Sequence, residues 1–219
     1  MKNRTASLAL VLALAAAPLA ACGDHTEGVA TATVTETTTT PPTTPPTTAR
    51  QSLAIDRAGS SVGFTGAKVT GSHDGTFTDF SGTVELGASI PESSVRVTIQ
   101  MASVQIEPER LLNHLRSPDF FDVERFPTAT FESSAITEGG SGSVGGQPAT
   151  HTVTGTLALH GQTRAVSFPA IITLAPGEVT ARAEFSINRR DFEIVYPGIP
   201  DDLIRDEVVI RFSIRAPRS

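Results

Sequence analysis

The sequence predicts an all-β fold: an antiparallel, eight-stranded β-barrel with one short helix after the fourth strand. Three observations carry that expectation. From residue 52 onward, apolar and polar residues alternate with period two, as in strands with one buried and one solvated face. Short turn signals such as "LHGQT" and "APGEV" separate the runs, with no crossover helix between them as a βαβ unit would need. A single stretch, residues 107–116, carries near-helical spacing.

The strands follow in order. Residues 53–56, 61–69 and 76–86 form the first three runs. "SVRVTIQMAS" comes fourth, with Val95, Val97, Ile99 and Met101 on one face and Arg96, Thr98 and Gln100 on the other. "HTVTGTLALHG" sets Val153, Leu157 and Leu159 against threonines, and "RAVSFPAIITL" follows with Val166, Phe168 and Ile172 on one side. "VTARAEFSIN" supplies Val179, Phe185 and Ile187, and "EVVIRFSIR" supplies Val208, Ile210, Phe212 and Ile214. A closed up-and-down barrel is the favoured arrangement, because closure removes the exposed edges of a meander. Eight strands enclose an interior that is either filled by side chains or holds one slim ligand.

Between the fourth and fifth runs lies "IEPERLLNHLRSPDFFDVERFPTATF". Ile106, Arg110, Leu111 and Leu115 have near-helical spacing, and Pro108 suits a first turn. Pro118 ends the helix, since the residue before a proline is driven out of the α region. Phe120, Phe121 and Phe126 then need cover, each contributing about 2–3 kcal/mol if fully buried. Helix and phenylalanines are expected to lie across one mouth of the barrel.

The N-terminus reads as an export signal. Lys2 and Arg4 precede the apolar run of residues 8–16, which is too short to span a bilayer and is followed by Pro18. "LAAC" at residues 19–22 resembles the lipobox of bacterial lipoproteins, so residues 1–21 are expected to be removed and Cys22 to carry the lipid. With one cysteine in the chain, an intramolecular disulfide is excluded. Two acyl chains give stable anchoring where one gives marginal binding. Residues 22–51, Thr- and Pro-rich, are expected to form a disordered tether reaching up to about 80 Å. The formal charge is -6, and loss of the leader removes two further positive charges. An acidic chain without a basic run argues against nucleic acid or anionic headgroups as the main partner.

Four segments carry a family resemblance. "GTFTDFSGTVEL", "HLRSPDFFDVERFPTATF", "VTGTLALHGQTRAVSFP" and "FSINRRDFEIVYPGIPDDLIRDEVVIRFSI" resemble, in this order along the chain, segments of the YceI-like family, and the likeness covers residues 52–216. The resemblance implies an elongated, lipocalin-like barrel whose hydrophobic tunnel takes a long isoprenoid or similar amphiphilic lipid, and it implies export. Two departures touch a possible tunnel mouth. Leu111 and Leu112 stand where many relatives have Arg-Asp, and Glu193 follows "RDF" where glycine is common.

The expected lining or lid comprises Val97, Ile99, Met101, Leu115, Phe120, Phe121, Phe126, Phe131, Leu157, Leu159, Phe168, Phe185, Ile187 and Phe212, with wall and core filler both open for each. His114, Arg190 and Arg205 are the candidates for a headgroup, and ion pairing with neighbouring aspartates is the competing role for the arginines. His114, Ser117 and Asp119 evoke a hydrolase triad, but no Gly-x-Ser-x-Gly elbow surrounds Ser117. Capping is the expected role of Ser117 or Asp119, and His114 is expected to hydrogen-bond where helix meets sheet. The five histidines lack metal-ligand spacing; His160 reads as a turn residue, and His73 and His151 as exposed strand starts. No cofactor is expected, and a homodimer is compatible with the sequence. Two further readings stay open: an envelope enzyme acting at His114, and a scaffold lipoprotein with a filled barrel.

Overall fold

The computed structural model describes residues 25–36 and 50–218; the leader, Cys22 and residues 37–49 of the expected tether lie outside them. In chain order the strands are β1 (Ala30–Thr31), β2 (Thr33–Glu36), β3 (Gln51–Ala54), β4 (Ser61–Lys68), β5 (Gly71–Phe77), β6 (Phe80–Leu86), β7 (Ser94–Gln100) and β8 (Val104–Gln105). Helix α1 (Glu109–Arg116) follows, then β9 (Thr128–Glu138), β10 (Ser143–Val144), β11 (Gln147–Pro148), β12 (His151–Leu159), β13 (Gln162–Ala175) and β14 (Glu178–Asn188). The chain closes with β15 (Gly198–Ile199), β16 (Asp202–Leu203) and β17 (Glu207–Pro217).

One sheet builds the wall. Its path runs β3-β6-β7-β9-β12-β13-β14-β17-β4-β5-β8, eleven strands curled into a half-barrel, with every ladder along it antiparallel. The all-β antiparallel class therefore holds; the expected count of eight is corrected, and so is the expected closure, since β3 and β8 remain as the two edges of the sheet. Three causes account for the difference in count. The two-residue β8, paired with β5 at the sheet edge, is too short to show a period. The run 76–86 divides at Thr78–Asp79 into β5 and β6, whose backbones turn away to Ser103 and Gln100. And β9 escapes the period-two test because it is bulged: Ala135 pairs with Thr154 but Ser133 with Gly155, so Ser134 is the extra residue. Buried positions consequently switch from Ala129 and Ser133 to Ile136, and the alternation reverses parity halfway along the strand.

The helix is two residues shorter than the expected 107–116, with Pro108 as its N-cap, and it follows the sixth strand of the domain rather than the fourth. It ends as the sequence requires: Ser117, ahead of Pro118, is extended at ψ 170°, and its N–H donates to the His114 carbonyl. The order β4-β5 then β6-β7-β9-β12-β13-β14-β17 preserves an up-and-down course, interrupted between β5 and β6, beside the two edges of the sheet.

The expected tether is corrected over residues 30–36. β13 and β14 pair only from Ala170 to Ala175 and then part; β1 lies parallel to β14 and β2 antiparallel to β13, filling the seam between them. "ATATVTE" suits this position. Ala32 points into the main core at 5 % exposure, Val34 is half-buried beside it, and the threonines between face water. Next to Ala32, Phe168 and Phe185 stack at 4.1 Å and 6° across the seam, leaving room there for only a small side chain.

The β12–β13 hairpin turns at His160 and Gly161, with φ of 50° and 75°. A Cβ on Gly161 would lie 2.6 Å from the Phe126 ring. Gly161→Ala therefore combines left-handed strain with a clash and is expected to destabilise the domain by about 2 kcal/mol, readable as a lowered denaturation midpoint.

Candidate apolar cavity and its mouth

A cavity of about 250 Å³ lies inside the curled sheet. Its lining extends from Leu86, Ile90 and Val179 at one end to Leu115, Phe120 and Ile204 at the other, so the space is long and narrow. The inward set of each strand supplies the wall, because period-two side chains of a curled sheet all converge on one interior.

Thirteen of the fourteen expected lining residues stand on this wall. Val97, Ile99 and Met101 come from β7 and the 3₁₀ turn after it; Phe131 from β9; Leu157 and Leu159 from β12; Phe168 from β13; Phe185 and Ile187 from β14; and Phe212 from β17. Leu115, Phe120 and Phe121 line its helix end. Phe126 is the correction. Its ring packs on His160 at 4.8 Å and under Gly161, so it braces the hairpin from outside the cavity. Phe121 meets Phe64 edge-on at 5.9 Å, and Leu115 and Phe120 are buried with Phe64, Val104 and Ile194, which fixes the helix over that end.

Outside this helix end a surface groove of about 700 Å³ runs between α1 and residues 196–204. It shares Phe64, Gly66, Leu115, Phe120 and Ile204 with the cavity, so these residues form the partition between groove and interior. His114 belongs to the groove, its ring edge-on to both Phe120 and Tyr196 at 4.9 Å and its Nε2 2.9 Å from Asp119 Oδ2. Ser117 Oγ donates to the His114 carbonyl at 2.7 Å. That hydroxyl proton is committed to the backbone, so His114, Ser117 and Asp119 form a helix-end cap rather than a base–nucleophile relay.

Two of the three headgroup candidates stand off the cavity. Arg190 is half-exposed and pairs with Asp206 at 2.7 Å, and His114 faces the groove, whereas Arg205 is on the cavity lining. The cavity also takes Arg189, which sequence reasoning passed over in favour of its neighbours. Arg189 is 4 % exposed. Its Nε donates to the Arg205 carbonyl (3.1 Å), Nη1 to the Ile194 carbonyl (2.5 Å), and Nη2 to Asp206 Oδ1 (2.9 Å) and the Ile204 carbonyl (3.4 Å). Burial pushes its pKa down, and the Asp206 carboxylate opposes that shift. A parity signal existed: Phe185 and Ile187 point inward, so residue 189 continues the inward set and residue 190 does not.

Glu193 is left-handed, with φ 57°, at the C-cap of the 3₁₀ turn Arg189–Phe192, a conformation glycine adopts without strain. Leu111 lines the groove and Leu112 packs beneath the helix. His151, expected exposed, is buried at 8 % with Nδ1 2.8 Å from Thr150 Oγ1. His160 donates from Nδ1 to the Phe192 carbonyl at 3.0 Å, tying the hairpin to the 3₁₀ turn. Among the described residues no cluster of three or more His, Cys, Asp or Glu could hold a metal ion.

The far lip of the groove is pinned by Asp202, which accepts from Lys68 Nζ and from the Thr70 amide and hydroxyl. The Lys68 hydrogen bond leads in holding its carboxyl below the usual range, with desolvation opposing. A depressed folded-state pKa contributes stability above the ordinary carboxylate value of about 3.9 that is lost as pH falls through the folded value. Acidification below about pH 4 is therefore expected to lower the protection factor of the Thr70 amide (its exchange relative to the intrinsic rate at the same pH), and Asp202→Asn to remove that pH dependence.

The YceI-like domain model matches residues 53–216. A UPF0312 protein of Azotobacter vinelandii is 39 % identical over 97 residues, 44 % of this chain and 47 % of its own. A UPF0312 protein of Pseudomonas putida (strain W619) is 34 % identical over 131 residues, 57 % of this chain and 65 % of its own. The chain thus spans about half to two thirds of the length of these curated relatives. Among solved structures, Burkholderia cenocepacia BcnA aligns at a TM-score of 0.62 and 27 % identity, covering 74 % of this chain and 99 % of its own. A polyisoprenoid binding domain from Saccharophagus degradans aligns at 0.59 and 14 % identity, covering 76 % and 98 %, a likeness of fold alone. With the family model matched across the whole curled sheet from β3 to β17, the chain belongs to the YceI-like domain family.

Proposed function

We propose that this chain is an extracytoplasmic, membrane-anchored lipoprotein that takes a long-chain isoprenoid or similar amphiphilic lipid into its barrel cavity, as a carrier or a sequestering protein. The observation that supports this best is the cavity itself: a long, narrow interior walled almost wholly by aliphatic and aromatic side chains. An apolar chain gains about 0.8 kcal/mol per methylene removed from water and needs no directional partner along most of its length. Arg205, on the lining at the helix end, is the residue we assign to a polar headgroup, whereas the Arg189 guanidinium is committed to the Ile194, Ile204 and Arg205 carbonyls and to Asp206. The name of the Saccharophagus degradans domain points to the same ligand class for a protein of this fold. Anchoring through Cys22 follows from the lipobox-like "LAAC".

Native mass spectrometry of the purified domain with organic extraction tests the reading. A co-purified or exchangeable prenyl or acyl lipid is the expected result. A lipid-free barrel that takes up neither a prenyl nor an acyl probe would overturn it.

A further inference from the structure

We propose that the groove end of the barrel is a bilayer-docking surface, which the N-terminal anchor holds against the membrane so that lipid passes between bilayer and cavity without crossing open water. Five large hydrophobic residues are exposed among the described residues, and four of them gather at this end: Val69, Val195, Ile199 and Leu203, at 65 %, 57 %, 60 % and 49 %. They come from two loops that are fastened together. The Val69 amide donates to the Leu203 carbonyl (3.1 Å), the Arg205 amide to the Ala67 carbonyl (2.8 Å), and Asp202 pins Lys68 and Thr70. Ile199 lines the groove that leads to the cavity partition. Clustered apolar exposure on a fastened frame, beside the entrance to an apolar interior, marks an interaction surface.

Chain length selects the occupant. The anchor expected at Cys22 precedes His25 by three residues, a reach of no more than about 11 Å when fully extended. His25 is not at liberty to swing away. Its Nε2 donates to the Glu207 carbonyl (2.9 Å), the following turn closes with the Val29 amide on the Thr26 carbonyl, and β1 and β2 are laddered into the wall. Glu207 is four residues beyond Leu203. The Thr/Pro-rich run 37–49 enters the chain after these fixed strands, so it adds no length between anchor and barrel. A lipid on Cys22 therefore lies beside the mouth, and the apolar residues there meet the same bilayer. The chain's acidic balance makes the contact an apolar insertion rather than attraction to anionic headgroups.

This docking surface rests on the anchored-lipoprotein reading, and the test separates the two. The chain contains no tryptophan, so single Ile199→Trp and Leu174→Trp variants of the full mature chain each report one site; Leu174 is the exposed apolar residue on β13, away from the mouth. Each is reconstituted in phosphatidylcholine/phosphatidylethanolamine vesicles with brominated acyl chains. Ile199→Trp is expected to lose about half its emission, since interfacial side chains sink roughly 5–10 Å into the headgroup boundary, and Leu174→Trp to lose almost none. The quench is expected to persist when salt is raised to about 0.5 M. Equal quenching at both sites, none at Ile199→Trp, or a quench abolished by salt would overturn the docking surface. So would protection of residue 199 by self-association without vesicles.

A second arm measures transfer of a fluorescent prenyl alcohol. Replacing Val69, Val195, Ile199 and Leu203 together by serine is expected to slow uptake from vesicles about tenfold or more, and to leave uptake from detergent micelles unchanged. Equal slowing from both sources would overturn the docking role. The intact mass of the membrane-extracted chain reports lipidation separately: an unmodified Cys22 removes the anchor and overturns both readings, whereas a lipidated chain with an unquenched Ile199→Trp overturns docking alone.

Discussion

Replacing Arg189 with leucine is expected to destabilise the domain by about 3–5 kcal/mol, the penalty of breaking a buried, hydrogen-bonded charge pair from one side. Arg189 joins three stretches of chain: it is the first residue of the 3₁₀ turn after β14, and its guanidinium bonds the carbonyls of Ile194, Ile204 and Arg205 as well as Asp206. Leucine would suit the apolar neighbours, but it leaves those carbonyls at the cavity end without their donor. At about 2–4 °C per kcal/mol for a domain of this size, the melting temperature should fall by roughly 10 °C. Arg189→Lys should recover little of this, because an ammonium is a point charge and cannot span acceptors that the planar fork reaches together. A melting temperature unchanged in Arg189→Leu, with prenyl-probe binding lost, would instead assign the guanidinium to the ligand alone.

That residue also shows where the sequence was legible. Barrel wall positions such as Val97, Leu157, Phe168, Phe185 and Phe212 could be read directly, since a curled sheet has one interior and period two sends alternate residues into it. Arg189 obeyed the same parity as Ile187, yet a charged residue at an inward position reads as surface until its partners are known, and those lie on a loop up to 17 residues away. The same difficulty hid the seam strands. Their alternation, Ala30-Thr31-Ala32-Thr33-Val34, is clear in retrospect, but two alanines and a valine offer too little apolar area to outweigh the ordering cost until β13 and β14 provide the slot. Phe126 failed for the opposite reason. Its need for cover was foreseeable from composition, its side of the wall was not, because an irregular segment has no period to carry direction from one residue to the next.

Ala181→Phe is expected to block lipid uptake while leaving the fold intact. Ala181 lies on β14 between Ile172 of β13 and Ile214 of β17, and it lines the cavity in the half away from the groove. A phenyl ring there occupies space that a ligand chain would otherwise fill. Displacing about four methylenes of that chain forfeits roughly 3 kcal/mol, or more than a hundredfold in affinity. Overpacking elsewhere in a close-packed core costs about 1–3 kcal/mol, but here the ring enters a void, so the melting temperature should change little or rise. Position along the cavity gives the sharper test. Because the mouth is at the opposite end, a prenyl probe of about two isoprene units should still bind the variant, whereas probes long enough to pass residue 181 should lose affinity in proportion to the methylenes excluded. Fluorescence titration with a graded series of prenyl alcohols reads this as a break in the dependence of affinity on chain length. Equal weakening of short and long probes would mean that ligands enter from the Leu86–Val179 end instead.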